Sequence, residues 1–455
     1  MIKTERERFA PAADQARLCY GFAGSRTVYG LVLPGIFLDL TISLSVFSAF
    51  KELDMTILDR LTQREQWESF YRYKCSLTGS SAFCRELRRF IDEGGYLPVC
   101  ERIRRGEPFP LPRKSFISKL DTQKKRVVYT YPEAEKTVLK LLTYLLLRKY
   151  DGLFGSGLYS FRPNRTAKDA IRRLTGTRNI DGLYSYKADI SNYFNSVPTA
   201  KLLPVLEEVT AGDGELYDFL SRLLSEPRVI DGRDVVTEDK GIMAGTPLSA
   251  FYANIYLMEL DRFFERQGIP YGRYSDDIIL FADSMEECKR YAEILRGLIA
   301  ERGLTINPSK ECFSAPQEGW TFLGFSYRDG TVDIAPASVK KLKGKMRRKA
   351  RALVRWRKRN EIDGEKAALA FIRIFNRKLF ECSEGSELTW SRWFFSAITT
   401  DVSLRGIDRY AQDCVRFIIS GSRTKSRYNV RYEEIRRLGL RSLVHEYYKF
   451  GEDNT

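Results

Sequence analysis

The spacing of hydrophobic positions divides the chain after residue 107 into two kinds of segment. Short runs of β-branched and aromatic residues predict strands, over 126–131, 184–190, 278–281 and 320–327. Longer stretches with apolar residues three and four positions apart predict helices, over 133–150, 166–174, 247–265 and 285–302. This alternation predicts an α+β domain whose small sheet is covered by helices.

The segments on either side of this domain have a different pattern. Residues 55–107 have a helical periodicity that ends at a proline-rich break over 108–112. Strand signals cease after Ala335, so 336–455 is predicted to be all helical. The predicted order is therefore a helical N-terminal region, an α+β domain over 108–335 and a helical C-terminal region.

Residues 1–54 differ in texture from the rest and are treated as an appendage of unassigned role. Within them, 28–50 is apolar enough to be compared with a membrane span. Asp39 near its middle would cost about 2.5–3.5 kcal/mol in a bilayer, and Pro34 interrupts the stretch. A buried core helix or hairpin is the better interpretation, and no stable membrane association is expected. The mixed charge of the first 25 residues also predicts no cleavable signal.

Composition narrows the chemistry and the partner. The chain has 75 Lys and Arg against 59 Asp and Glu, a formal charge of +16, which favours nucleic acid as a partner over anionic lipid or a purely solubilising role. His445 is the only histidine, so Ser-His-Asp catalysis and His-rich metal sites are excluded. The eight cysteines form no CxxC pair, which predicts reduced thiols in a cytoplasm rather than a zinc ribbon or a disulfide framework.

The sharpest local feature is a pair of acidic residues, Asp276 and Asp277, before the apolar run 278–282. Neighbours in a strand point to opposite faces, so both reach one site only in a tight hairpin turn. On this dipeptide alone an exposed acidic turn is the better interpretation. However, Asp189 ends a second predicted strand. Two strands that bring aspartates to one sheet edge can hold two Mg²⁺ ions about 3.5–4 Å apart, as in nucleotidyl transfer.

Seven blocks in chain order resemble the reverse transcriptases, and together they span about 108–330. The blocks are 124–126 (KKR), 160–165 (SFRPNR), the Asp189 segment, 245–257 (GTPLS running into ANIYL), 274–277 (YSDD), 304–310 (LTINPSK) and 322–325 (FLGF). Motifs in series are more specific than any one of them. The resemblance implies a right-hand polymerase fold, with fingers and palm over 108–335 and an all-helical thumb and C-terminal region over 336–455.

The resemblance also implies the catalytic residues. The metal ligands would be Asp189, Ile190, Asp276 and Asp277, binding two Mg²⁺ ions or alternatively Mn²⁺. Lys310 resembles a lysine that protonates the departing pyrophosphate as a general acid. An exposed turn lysine after Asn-Pro is the alternative for that position.

Residues around the incoming nucleotide follow from the same resemblance. Arg126 and Lys124 would hold the triphosphate, and Gly245 would lie near the nucleotide. Phe194 would lie beneath the sugar, where a ring excludes a 2′-hydroxyl by clash and desolvation. Phe194 therefore favours DNA synthesis, with core packing as its alternative role.

Nucleic-acid contacts are expected at three places. Arg162 would shape the template path, unless its loop serves mainly to start the helix capped by Thr166. Phe322 and Gly324 resemble a primer-grip hairpin, which apolar packing would also explain. Twelve Lys and Arg with no acidic residue occupy 340–359, which predicts a helix along the template-primer backbone, represented by Lys345, Arg348 and Arg355.

One block departs from the family pattern. Much of the family has Pro-Gln-Gly and then Ser-Pro, where this chain has 243–245 (MAG) and 249–250 (SA), so a side-chain amide near the nucleotide is missing. The departure resembles abortive-infection and unknown-group reverse transcriptases, many of them antiphage defence enzymes. The expected function is an RNA-directed DNA polymerase that uses dNTPs, with a noncoding RNA as template or partner and a DNA product. A homo-oligomer, a template-independent DNA-synthesising enzyme and a non-catalytic nucleic-acid scaffold remain open.

Overall fold

The computed structural model describes residues 17–23, 26–33, 36–40, 55–77, 81–118, 125–381 and 389–452. The first three ranges are strands β1 (Arg17–Ala23), β2 (Arg26–Leu33) and β3 (Ile36–Leu40), which pair antiparallel in that order. Of the two alternatives for 28–50, a buried helix or a hairpin, the antiparallel pairing of β2 with β3 agrees with the hairpin, while 34–35 and 41–50 lie outside the described residues. No helix in the described ranges has the length and apolar character needed to cross a bilayer.

The N-terminal helices form one side of the main core. They are α1 (Ile57–Arg60), α2 (Arg64–Leu77), α3 (Ser81–Asp92) and α4 (Leu97–Arg104). Trp67 and Phe70 of α2 are fully buried, and the Phe70 ring lies 5.4 Å from that of Tyr144 on α5 (Glu133–Lys149). The helical prediction for 55–107 is confirmed over these described helices.

Four antiparallel strands form the central sheet, and they are β6 (Tyr184–Asp189), β9 (Tyr271–Tyr274), β10 (Asp277–Ala282) and β11 (Cys312–Ser314). Their order across the sheet is β11-β6-β10-β9. Alternate residues of β10 enter different cores: Ile278 and Leu280 join the main core, whereas Ile279 and Phe281 join the C-terminal core. Because both faces are covered, β10 is apolar at every position after Asp277.

A second sheet, called the lateral sheet here, has the strands β4 (Arg113–Ser118), β5 (Lys125–Thr130), β7 (Arg228–Asp231) and β8 (Asp234–Thr237). Their order across the sheet is β5-β4-β7-β8. The strand predicted over 126–131 is confirmed as β5. The lateral sheet therefore carries Arg126, and the central sheet carries the acidic residues.

Helices connect and cover the two sheets. They are α6 (Ala167–Thr175), α7 (Tyr193–Ser196), α8 (Thr199–Val209), α9 (Gly214–Ser225), α10 (Ser249–Tyr256), α11 (Met258–Arg266) and α12 (Met285–Glu301). The single helix predicted over 247–265 is wrong in one respect, because Leu257, with φ −108° and ψ 12°, separates α10 from α11. The other helices predicted in this region are confirmed.

The C-terminal region begins with a small sheet. The strand predicted over 320–327 is instead the hairpin β12 (Trp320–Phe322) and β13 (Phe325–Arg328), because Leu323 and Gly324 have positive φ (53° and 86°) and reverse the chain; β14 (Thr331–Ile334) follows. The described elements beyond it are all helical, as predicted, and comprise α13 (Pro336–Arg359), α14 (Gly364–Phe380), α15 (Trp390–Phe395), α16 (Val402–Ser420), α17 (Tyr432–Arg437) and α18 (Leu443–Glu452). The α+β class with a helical C-terminal region is confirmed.

Candidate active site

The acidic pair lies in a tight hairpin turn. Tyr274 at the end of β9 pairs with Asp277 at the start of β10, so Ser275 and Asp276 are the only residues between the strands. Ser275 has φ 60°, the sign that a type II′ turn requires at its first central position. A non-glycine residue there costs about 1–3 kcal/mol. The amide of Ser275 donates a 2.8 Å hydrogen bond to Oγ of Ser160, which supports this strained turn.

Three carboxylates meet at this edge of the central sheet. Asp189 is the direct cross-strand partner of Asp277, and the Ile190 amide donates a 3.0 Å bond to the carbonyl of Asp276. Burial raises the pKa of both Asp276 and Asp277; the charge of Asp189 raises that of Asp276 further. The site thus concentrates negative charge that the protein alone stabilises poorly.

Two lysines reach this acidic group. The Lys310 ammonium donates to Oδ2 of Asp189 at 2.5 Å, although its side chain is 53% exposed. Lys187, on the same strand as Asp189, lies 3.9 Å from Oδ1 of Asp277 and opposes the rise in that pKa. Lys310 therefore contacts Asp189 directly, and Lys187 is the cationic neighbour of Asp277.

The donor set fits a divalent metal ion in its chemistry. Carboxylate oxygens are the ligands that Mg²⁺ and Mn²⁺ prefer, and a cation would relieve the cost of ionising Asp276 beside Asp189. Within the ranges that the structure describes, no group of three or more acidic, histidine or cysteine side chains is already arranged around a single point. The residues that would hold the metal are Asp189 and Asp276, with Asp277 beside them, and the Lys310 ammonium contacts Asp189.

A buried ion pair supports the turn from below. Arg273 on β9 and Asp261 on α11 are both 0% exposed and are joined by bonds of 2.6 and 2.7 Å. The Arg273 guanidinium also donates to the Ser275 carbonyl at 3.2 Å, and the Tyr271 hydroxyl donates to Asp261 at 2.9 Å. The pattern of the sequence did not predict this pair. An arginine in a short strand beside an acidic turn was the available signal.

Arg126 faces the acidic edge from the lateral sheet. Burial raises the pKa of Asp276, and the charges of Lys310 and Arg126 both oppose that rise. Lys124, the weaker triphosphate prediction, lies outside the described residues. Phe194 is half-buried, with its ring 6.3 Å from that of Phe161 and nearly perpendicular to it. The two sheets thus bring Arg126 and the carboxylates toward one site.

Gly245 allows a close approach of two backbones. Its φ is +100°, and a Cβ atom there would lie 3.1 Å from the Tyr129 carbonyl oxygen and 3.2 Å from Cβ of Val128. Any other residue would push this loop away from β5. Gly245 therefore allows this loop to approach β5, the strand that carries Arg126.

The side chain of Arg162, which is predicted to shape the template path, is bonded within the protein. Its buried guanidinium forms two bonds to the Asp151 carboxylate, of 2.7 and 3.0 Å, and a 2.9 Å bond to the Gly155 carbonyl. A guanidinium with its donors used internally has little left for phosphate. The expected capping box is confirmed, because Thr166 and Asp169 form it at the start of α6, and the part of Arg162 in the template path stays a prediction.

The predicted primer-grip residues Phe322 and Gly324 lie at the turn between β12 and β13 and pack against the C-terminal region. Phe322 is 0% exposed and belongs to the C-terminal core. A Cβ atom at Gly324 would lie 3.0 Å from Oγ of Ser338 and 3.4 Å from the Phe394 ring, so the turn packs against the protein itself. Apolar packing of the hairpin is compatible with a primer grip and with a purely structural role, so the primer-grip role stays a prediction.

Trp393 connects the C-terminal region to the acidic turn, and sequence reasoning missed it. Its ring lies 5.9 Å from that of Tyr274 at an angle of 86°, and its indole N–H donates a 3.2 Å bond to the Leu323 carbonyl. Helix α15 thus contacts the acidic hairpin and the β12–β13 turn at once. Isolated tryptophans carry no sequence signal for such a contact.

The basic helix α13 has one buried and one charged face. Leu342, Met346, Ala350 and Leu353 are buried against the C-terminal core, whereas most of its Lys and Arg residues lie outward. Arg348 and Arg355 are exposed and Lys345 is half-buried. Arg357 differs from its neighbours, because it donates to the carbonyls of Ile418 and Ile419 at the end of α16. The helix is therefore a charged surface with one structural arginine.

The acidic edge lies in the part of the chain that is similar to a known protein family. Residues 114–327 match the family model described as reverse transcriptase (RNA-dependent DNA polymerase). The matched region contains the three carboxylates together with Arg126, Phe194 and Lys310. Residues 114–327 are therefore similar to the reverse transcriptase domain that this model describes.

Individual relatives match over shorter stretches. The retron Ec86 reverse transcriptase of Escherichia coli is 30% identical over 106 residues, which cover 22% of this chain and 33% of that protein. The group II intron-encoded protein LtrA of Lactococcus lactis subsp. cremoris is 23% identical over 207 residues, or 45% of this chain and 34% of that protein. The chain thus spans about a third of the length of these curated relatives.

Solved structures with a detectable likeness include telomerases. Apo telomerase from Candida tropicalis has a TM-score of 0.43 at 11% identity, covering 69% of this chain and 58% of that chain. Telomerase from Candida albicans, in complex with a TWJ fragment of telomeric RNA, has a TM-score of 0.39 at 13% identity, covering 78% and 71%.

Proposed function

We propose that this chain is a metal-dependent RNA-directed DNA polymerase. The observation that carries the proposal is the meeting of Asp189, Asp276 and Asp277 at one sheet edge inside the region that is similar to a reverse transcriptase domain. Two bound Mg²⁺ ions would activate a primer 3′-hydroxyl and stabilise the leaving pyrophosphate. Asp189 and Asp276 would hold them, with Asp277 and the backbone of Ile190 beside them. Fingers and palm would then occupy 108–335, and the thumb and C-terminal region 336–455.

The remaining side chains have separate parts in this reaction. Arg126 would bind the triphosphate, since its planar guanidinium suits two phosphate oxygens at once. Lys310 would release Asp189 on metal binding and donate a proton to the departing pyrophosphate. Phe194 would lie beneath the sugar. Each role is consistent with a position at or facing the acidic edge.

Primer extension tests the proposal directly. Purified protein is given a DNA primer on an RNA template, all four dNTPs and Mg²⁺, with EDTA in a parallel reaction. We expect extension that stops with EDTA and whose products are complementary to the template. Absence of any nucleotide incorporation, with either Mg²⁺ or Mn²⁺, would refute the assignment and favour a nucleic-acid-binding scaffold.

A template-independent DNA-synthesising enzyme is the second candidate. The observation that favours it is Ala244, which has no side-chain amide to offer the nucleotide. The same assay separates the two, since products whose sequence ignores the template would support the second candidate. We further propose antiphage defence in the cytoplasm as the setting, with a structured noncoding RNA as template or partner, supported by the Met243-Ala244 departure. Sequencing the RNA and DNA that copurify with the protein tests this.

Sugar selection should depend on Phe194. Replacing it by Val removes the ring that would exclude a 2′-hydroxyl, so we expect the preference for dNTPs over rNTPs to fall by about 10- to 100-fold, the range for a single steric contact in a pocket. Activity with dNTPs should persist, because the carboxylates are unchanged. The measurement is kcat/KM for both sugars. An active Phe194→Val enzyme with undiminished preference would show that Phe194 is only core.

Helix α13 should bind the nucleic-acid backbone without regard to sequence. Changing Lys345, Arg348 and Arg355 to Glu should weaken binding to every sequence and reduce the slope of log K against log salt by about 2–3, since each phosphate contact contributes about 0.7–0.9. The exposed residues Arg373, Arg377 and Lys378 of α14 provide a control with the same change of charge. An equal effect of both triple variants would mean that net charge, not α13, governs binding.

A further inference from the structure

The loop from Gly241 to Gly245 lies between the helix that carries Phe194 and the strand that carries Arg126. On one side, the Ile242 amide donates a 2.8 Å bond to the Phe194 carbonyl. On the other side, the Tyr129 amide of β5 donates a 2.8 Å bond to the Ala244 carbonyl. The loop therefore touches both elements that would contact an incoming nucleotide.

The loop is too closely packed to move independently. A Cβ atom at Gly241 would lie 2.7 Å from the Phe194 carbonyl oxygen and 2.7 Å from the Asn195 carbonyl carbon, and Gly241 has φ +53°. At the other end of the loop, a Cβ atom at Gly245 would lie 3.1 Å from the Tyr129 carbonyl oxygen, which is also a close contact. Two glycines at positive φ thus let the loop fit between α7 and β5.

The side chain of Asn195, on the helix α7, is hydrogen-bonded both to the loop and to β5. Oδ1 of Asn195 accepts a 2.9 Å hydrogen bond from the Ala244 amide, and its Nδ2 donates a 3.2 Å bond to the Val127 carbonyl. Asn195 directly follows Phe194, and Val127 directly follows Arg126. A half-buried amide that satisfies a backbone donor on one element and a backbone acceptor on another fixes their separation.

We propose that Asn195 is a positioning residue that sets the distance between the sugar-contacting Phe194 and the triphosphate-binding Arg126. A nucleotide reaches both residues at once only if that distance is right, so Asn195 contributes to the preference for deoxyribonucleotides. It touches neither the nucleotide nor the metal. The inference rests on the proposed polymerase function and adds a determinant of its sugar specificity.

Two substitutions separate the two bonds. Asn195→Asp keeps an oxygen to accept from Ala244 but places a second oxygen against the Val127 carbonyl, which breaks only the contact with β5. Asn195→Ala removes both bonds. Because Asp and Asn have the same shape, Asn195→Asp leaves packing intact even if the alanine variant is poorly folded.

A matched control exists in the C-terminal region. The Asn376 side chain also donates to a backbone carbonyl, that of Gly439 at 2.8 Å, and accepts from a backbone amide, that of Arg441 at 3.3 Å. Asn376→Asp and Asn376→Ala therefore remove the same kinds of bond from an element outside the proposed nucleotide site.

The experiment measures kcat and KM for dGTP and GTP in primer extension with Mg²⁺. It uses the full chain and a template in which the first base to be copied is cytosine. For both Asn195 variants we expect KM for dGTP to rise and the dGTP-over-GTP ratio of kcat/KM to fall by about tenfold, the loss of one to two hydrogen bonds. Both Asn376 variants should keep the wild-type ratio. The ratio is the decisive quantity, because a smaller folded fraction lowers both rates equally.

Other outcomes are separable. Active Asn195 variants with an unchanged ratio would overturn the proposal and make Asn195 structural. A lower ratio in the Asn376 variants as well would also overturn it, because the effect would then be global. A wild-type enzyme that incorporates no nucleotide would refute the polymerase function itself, and a wild type with no sugar preference would refute the role of Phe194 before that of Asn195.

Discussion

Asp276→Asn should reduce nucleotide incorporation by at least about 10²–10³-fold. Removal of a single hydrogen-bond donor from an oxyanion hole costs that much, and a carboxylate that binds a metal ion contributes more than one such donor. The variant has lost a carboxylate that would hold metal but keeps the shape of the turn. Primer extension in Mg²⁺ measures the effect. Asp329→Asn is the control, since Asp329 is also an aspartate in a hairpin turn but is 78% exposed and lies between β13 and β14.

The same substitution should not destabilise the metal-free protein. Burial, and next the charge of Asp189, raise the pKa of Asp276, so the folded state binds a proton more readily than the unfolded state. Stability from this group therefore falls as the pH rises above the ordinary carboxyl pKa, and Asn removes that loss. We expect an unchanged or higher Tm at pH 7–8 without metal.

Metal addition separates the possible outcomes. Mg²⁺ should raise the Tm of the wild type, since it binds the folded state, and should raise that of Asp276→Asn less. Wild-type incorporation by the variant would exclude Asp276 as a metal ligand. A strongly lowered Tm would instead make Asp276 a structural residue.

Asp261→Asn should have the largest effect on folding, about 3–5 kcal/mol of unfolding free energy, because it leaves the guanidinium of Arg273 buried without its counter-ion. Burial alone would lower the pKa of Arg273, but Asp261 raises it above its ordinary value, so the arginine remains charged. Urea denaturation gives the free energy of unfolding. Glu293→Gln, in the pair with Arg296 whose glutamate is 73% exposed, should change stability little.

A double variant tests whether the pair also positions the turn. Asp261→Leu with Arg273→Met removes both charges, and much of the lost stability should return, because no buried charge is left unpaired. Incorporation should stay low, since the bond from Arg273 to the Ser275 carbonyl is also gone. Full activity in the refolded double variant would limit the pair to stability.

The sequence alone determined the local elements and the acidic residues. Apolar runs bounded by turn residues identified β5, β6 and β10, because strand and helix periods differ. The dipeptide Asp276-Asp277 before a strand predicted a hairpin turn, since only a turn lets both side chains reach one site. The composition of 340–359 determined that α13 has a charged face, because twelve Lys and Arg in twenty residues are too many to be buried on the apolar side of one helix.

The tertiary structure decided which polar residues remain available. Arg162 and Arg357 have the same chemistry as Arg126, yet their guanidinium groups are used by Asp151 and by the end of α16, which no local pattern reveals. The sequence around Phe322 predicts a hairpin, but only the fold shows that its ring is fully buried in the C-terminal core. Asn195 joins residues 68 and 49 positions away. Burial and long-range hydrogen bonds depend on how the chain folds in three dimensions, so the sequence specifies them only through the complete fold.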